Sequence, residues 1–94
     1  MDKYTIVRLA PQVLKRMEYG IDIFYLLNLE TDEIWTGNIA SALFVSYLDG
    51  KRTIFDIANI LSLEFPNNTQ EELCDSLIII SEELINKNFL QIIA

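Results

Sequence analysis

The chain has no histidine, one cysteine, two prolines and three glycines among its 94 residues. Without histidine there is no imidazole base, no Ser/His or Cys/His nucleophile pair and none of the common histidine-containing zinc sites. Cys74 has no partner for an internal disulfide, which suits a reducing compartment. Gly20, Gly37 and Gly50 lie far apart, so no glycine-rich loop is present to wrap a phosphate. Positive charge is scarce as well, the net charge being -7. Lys3, Arg8, Lys15, Arg16, Lys51, Arg52 and Lys87 are dispersed, whereas Glu64, Glu71, Glu72, Asp75, Glu82 and Glu83 share a stretch with no cation. Nucleic acid is therefore not an expected partner. No apolar run approaches the ~18 residues of a membrane span, and no secretory-type stretch follows Met1. The expectation is a cytoplasmic protein without a membrane partner.

What is abundant is apolar: 51% of residues are hydrophobic and 22% charged, the profile of a packed domain. The length suits one domain over residues 1–94. Adjacent carboxylates at Asp32/Glu33, Glu71/Glu72 and Glu82/Glu83 diverge in direction on either a helix or a strand, so solvated charge explains them better than a shared acid/base site. The chain is expected to be non-catalytic, with no metal and no cofactor of its own.

From Val13 to Thr36 the hydrophobic pattern has the period of strands. Val13, Lys15, Met17 and Tyr19 alternate with Leu14, Arg16 and Glu18. After a turn at Gly20, Ile21, Ile23, Tyr25, Leu27 and Leu29 alternate with Asp22, Phe24, Leu26 and Asn28. Glu30-Thr31-Asp32 forms a polar turn, and Glu33-Ile34-Trp35-Thr36 a short third strand closed by Gly37. Residues 1–12 read as an N-terminal arm or flanking strand, since Pro11 separates the β-prone Tyr4–Leu9 from the rest.

Beyond Gly37 the period becomes helical. Asn38 caps a first helix with Ile39, Ala42, Leu43, Tyr47 and Leu48 on one side, stopped by Asp49-Gly50. Thr53 with Asp56, and Thr69 with Glu72, have capping-box spacing. They open a second helix (Ile54, Ile57, Ala58, Leu61, Phe65) ended by Pro66-Asn67-Asn68, and a third running to about Lys87 with a core stripe of Leu73, Leu77, Ile80 and Leu84. Asn88 caps its end, and Phe89–Ile93 is an extended tail. The class is α+β: a three-stranded antiparallel sheet followed by three helices.

Leu29 through Asn38, with Ala40, Leu43, Leu48, Asp49-Gly50, Arg52-Thr53, Ile57-Ala58 and Leu61, resembles the PqqD-like proteins, the recognition elements of ribosomally made, modified peptides (RiPPs). Asp49-Gly50-Lys51-Arg52-Thr53 followed by Ile57-Ala58 is the most specific run, and the resemblance extends over about residues 13–93. The chain departs from the family at Trp35-Thr36-Gly37-Asn38, where a Leu-Asn pair is frequent, and at Asn88, where glycine is common. The resemblance implies a winged-helix-like module that captures the leader of a precursor peptide and presents it to a modifying enzyme, often a radical S-adenosylmethionine (SAM) enzyme. In the family the leader adds as a strand beside the third strand and beneath the third helix, its backbone bonded to an open edge and alternate side chains lodged in a groove.

On that basis the expected peptide contacts are Glu33, Ile34, Trp35 and Thr36 on the strand and Cys74, Ile78, Ser81 and Ile85 on the third helix. Cys74, Ile78 and Ile85 widen the helix's apolar arc on one flank, while Glu72, Ser76 and Glu83 form the other. For each of these residues taken singly, packing against the sheet or tail is the favoured explanation. Trp35 suits both a core and a binding hot spot. Ile79, among acidic neighbours, is either an exposed anchor or a scattered surface residue. Two alternatives stand beside the leader-binding module. A winged-helix DNA-binding regulator would need Arg, Lys, Asn or Gln on its recognition helix, where the third helix offers carboxylates and only Lys87. A structural accessory subunit docking on an enzyme is the other. The exposed edge would also serve a strand-mediated homodimer.

Overall fold

In the computed structural model, which describes residues 1–18 and 20–94, the alternating segments become strands β2 (Val13–Glu18), β3 (Ile23–Asn28) and β4 (Ile34–Gly37). They pair antiparallel in the order β2-β3-β4. Tyr19, expected at the end of the first run, lies outside the described residues. Phe24, Leu26 and Asn28 of β3 are buried on one face, while Ile23, Tyr25 and Leu27 are half-buried on the other. Asp22 and Asp32 take left-handed φ values of 52° and 59° in the two connections, a conformation Asp tolerates better than most residues. Strand β4 starts one residue later than expected. Glu33 still belongs to the turn, in which Asp32 donates to the Asn28 carbonyl at 2.8 Å.

The helices α1 (Ile39–Ser46), α2 (Ile54–Glu64) and α3 (Gln70–Asn86) start at the expected caps. Asn38 accepts from the Ser41 N–H at 3.1 Å, and both capping boxes are complete. In the second box the Thr69 N–H and hydroxyl hold the Glu72 carboxyl below its usual range. A helix start leaves its first N–H groups without intrahelical partners. In α2 the Ile54 and Phe55 N–H groups donate to the carbonyls of Thr5 and Lys3, at 3.1 and 2.7 Å, which gives the N-terminal arm a structural role. At the end of α3, Phe89 donates to the Leu84 carbonyl at 2.8 Å and Asn88 to that of Ile85 at 3.0 Å. This crossed pair requires a left-handed residue, and Asn88 supplies it at φ 65° where glycine would be the usual choice.

The terminal segments pair with each other. Strands β1 (Val7–Leu9) and β5 (Leu90–Ile92) form a second, two-stranded antiparallel sheet, so the fold is more than one sheet followed by three helices. The core fills the space between the inner face of β2-β3-β4 and the helices, with Leu26, Phe44, Ile54, Ile57, Leu61, Leu84 and Phe89 fully buried. Helix α1 packs on β3, β4 and α2, and α2 packs on α3.

Two expected stripes are rotated. In α1 the buried residues are Phe44 and Val45, and Ile39 is 52% exposed, because a short helix that is apolar on most sides lets the sheet choose its face. In α3 the buried line is Cys74, Leu77, Ser81 and Leu84, and it leaves Leu73 and Ile80 half-buried. Ser81 is small enough for close helix packing, though its buried hydroxyl has no partner among the described residues. Ile79 is 69% exposed. Among the described residues no helix is long and apolar enough to cross a membrane.

Thr69→Ala should lower stability by about 1 kcal/mol in denaturant titration, since it removes one half of the capping box. Ser81→Ala should raise it by about 1 kcal/mol, since it deletes a buried, unpaired hydroxyl.

Candidate functional site

Strand β4 bonds to β3 on one side only, and the register determines which of its groups are used. Asn28 donates to the Glu33 carbonyl at 2.9 Å, so Asn28/Glu33 is a hydrogen-bonded position. Such positions recur every second residue, which makes Leu26/Trp35 and Phe24/Gly37 the next ones. The N–H and C=O of Trp35 therefore face β3, whereas those of Ile34 and Thr36 face outward. The other side of β3 agrees: Leu29 donates to the Gln12 carbonyl at 2.9 Å, so the odd-numbered residues of β3 serve β2. Two donors and two acceptors thus stand open along β4, in the pattern an added strand uses.

Strand β2 is the opposite edge of the same sheet, but it is guarded. Lys15 sits opposite Leu26 on the inner side of the sheet, and a charge in that position discourages strand addition. Strand β4 carries no such residue; Ile34 is 64% exposed.

Helix α3 walls the open edge. The Trp35 indole N–H donates to Glu83 Oε2 at 3.2 Å, bridging strand and helix. The ring lies over Gly37, where a Cβ would sit 2.5 Å from Trp35 Cζ3 and 2.9 Å from Ser41 Cβ, so glycine is needed to seat it. Up the same side of α3 from Glu83 come Ile80, Ser76 and Leu73. They face Asn38, Ala40 and Ser41 across a cleft of about 320 Å³ also lined by Phe44 and Leu77. The cleft begins at Asn38, the residue that follows β4. Lys87 Nζ lies 3.7 Å from Glu83 Oε1, a half-exposed pair of little energetic consequence.

The expected strand residues lie where the edge is. Ile34, Trp35 and Thr36 belong to β4, and Glu33 directly precedes it. The helical four do not join them. Cys74 and Ser81 are in the core, at 5% and 0% exposure, while Ile78 and Ile85 are half-buried on the flank of α3 that faces away from β4. Cys74 and Ile78 line a separate cleft beside Met1, Asp2, Lys3 and Phe55, and burial pushes the Cys74 thiol up. The groove side is Leu73, Ser76, Ile80 and Glu83. Because Ser76 and Glu83 are polar, spacing assigns that side to solvent, although mixed polar and apolar residues are also what a water-exposed groove requires. Among the described residues no group of three or more His, Cys, Asp or Glu is arranged to hold a metal.

No protein-family model, curated protein or solved structure matches the chain.

Parity gives a discriminating test of the edge. Trp35→Pro removes a ladder bond and the indole, and should lower stability by about 3 kcal/mol. Thr36→Pro removes an outward donor only and should cost less than about 1 kcal/mol in the same thermal melts.

Proposed function

We propose that the chain is a non-catalytic recognition module of the PqqD-like, winged-helix-like type. It captures the leader of a ribosomally made precursor peptide as an added strand on β4 and presents it to a modifying enzyme, of the radical SAM class in the family's usual arrangement. The observation that carries this proposal is the unguarded edge of β4 running beside a groove walled by α3. Backbone pairing to Ile34 and Thr36 gives affinity with little regard to sequence, and the groove selects side chains. A second copy pairing through the same edge would compete with the peptide.

A DNA-binding role is disfavoured by charge, since α3 presents Glu71, Glu72, Asp75, Glu82 and Glu83 as exposed residues. An accessory role fits within the main proposal. The sheet face turned away from the helices carries the exposed Leu14, Leu29 and Ile34 beside the half-buried Tyr25 and Leu27, an apolar surface suited to docking on the modifying enzyme. A cytoplasmic setting accords with the free thiol of Cys74.

Trp35 is the sole tryptophan and lies on β4, so its fluorescence is the natural probe of a strand added there. Titration with the leader of the precursor peptide encoded beside the gene should change its emission saturably. Amide exchange should slow at Ile34 and Thr36 on binding. An unchanged emission with no heat in calorimetry, or a folded Thr36→Pro variant that binds as tightly as the parent, would refute the proposal.

A further inference from the structure

Building on strand capture at β4, we infer that the captured segment is cationic: Lys or Arg residues meet Glu33 and Glu83, and one apolar side chain fills the cleft between α1 and α3. Glu30, Asp32 and Glu33 lead into β4, and Glu82 and Glu83 stand on the helix beside it. Helix α3 itself carries no cation, and Lys87 at its C-terminal cap is already paired with Glu83.

The other basic side chains of the sheet do not offset this field. Lys15 and Arg16 lie on β2, and Arg16 is held by Glu18 at 2.9 Å. With strands ~4.8 Å apart, β2 is about 14 Å from a strand added to β4, beyond the ~8 Å screening length at physiological salt. Glu33 and Glu83 lie within that length. A peptide carrying Asp or Glu at the same positions would meet like charge, offset by Lys87 at Glu83 and by no ion pair at Glu33.

The cleft sets the rest of the chemistry. It opens where β4 passes through Gly37 into the Asn38 cap, so the anchoring side chain belongs to the part of the peptide just past its pairing with Thr36. Ala40, Phe44, Leu77 and Ile80 make its wall apolar, and about 320 Å³ accommodates one Leu, Ile, Met or Phe side chain. Asn38, Ser41 and Ser76 leave its mouth polar, which suits the neighbouring peptide backbone.

A selection of random short peptides displayed against the full chain, from a library without charge bias, tests this. Enriched peptides should carry Lys or Arg beside a single large apolar residue. Their affinity, read from Trp35 emission, should fall about tenfold from low to physiological salt. Glu33→Gln with Glu83→Gln should weaken them by up to about fivefold per charge, and by clearly more than they weaken neutral analogues of the same peptides. Ser76→Phe, which fills the cleft, should abolish the preference for the apolar anchor. A neutral or acidic consensus that still requires the Thr36 N–H, judged by loss of binding in Thr36→Pro, would overturn the charge inference and leave strand capture standing. No enrichment, or enriched peptides indifferent to Thr36→Pro, would overturn both.

Discussion

The buried side chain of Asn28 is the interaction on which the geometry of the groove depends. It is fully enclosed at the end of β3. Its Oδ1 accepts the N–H groups of Glu30 and Thr31, at 3.0 and 3.4 Å, which shapes the turn leading into β4. Its Nδ2 donates to the Asn88 carbonyl at 3.1 Å, 60 residues away, where α3 has just ended. One amide therefore fixes both the start of the edge strand and the position of the helix that walls it. The group has few substitutes: an apolar side chain would remove the partner of the Asn88 carbonyl and of two turn N–H groups, at a net cost of about 1 kcal/mol per hydrogen bond lost. Aspartate would offer no donor to Asn88.

Legibility in the sequence followed locality. The caps at Asn38, Thr53 and Thr69 depend on residues three apart, and their side chains bond as their spacing says. The meander was readable for the same reason, because alternation and turn residues are neighbours. The β1–β5 pair joins segments 83 residues apart and leaves no short-range trace. The rotation of α3 was hidden differently. Its apolar arc runs from Leu73 round to Ile85 and permits more than one buried line, and Ser81 at the centre of the actual one looks like a surface residue. The open strand was therefore legible, whereas the helical residues named from the spacing lie in the core or on the flank of α3 beside the N-terminal arm, away from the Trp35–Glu83 contact.

The sheet treats its two edges unequally. A lysine on the inner side of β2 discourages pairing there, whereas the outward backbone groups of Ile34 and Thr36 on β4 have no partner among the described residues. Open edges carry an aggregation hazard, and here the hazard is limited by shortness and charge. Strand β4 has four residues, and the acidic run before it repels further copies of a chain whose net charge is -7. The same carboxylates that keep identical edges apart leave the edge accessible to a segment of opposite sign.

The pairing of β1 with β5 has a mechanical consequence. Because the strands are antiparallel, with Val7 opposite Ile92 and Leu9 opposite Leu90, tension on the two flanking segments would load their bonds one after another, as in a zipper, rather than all together. The pair would peel first, withdrawing Val7 and Leu90 from the core, while the meander and its open edge lie off the direct line of force. Tethered at both ends, the domain would yield first at the sheet that joins its terminal strands.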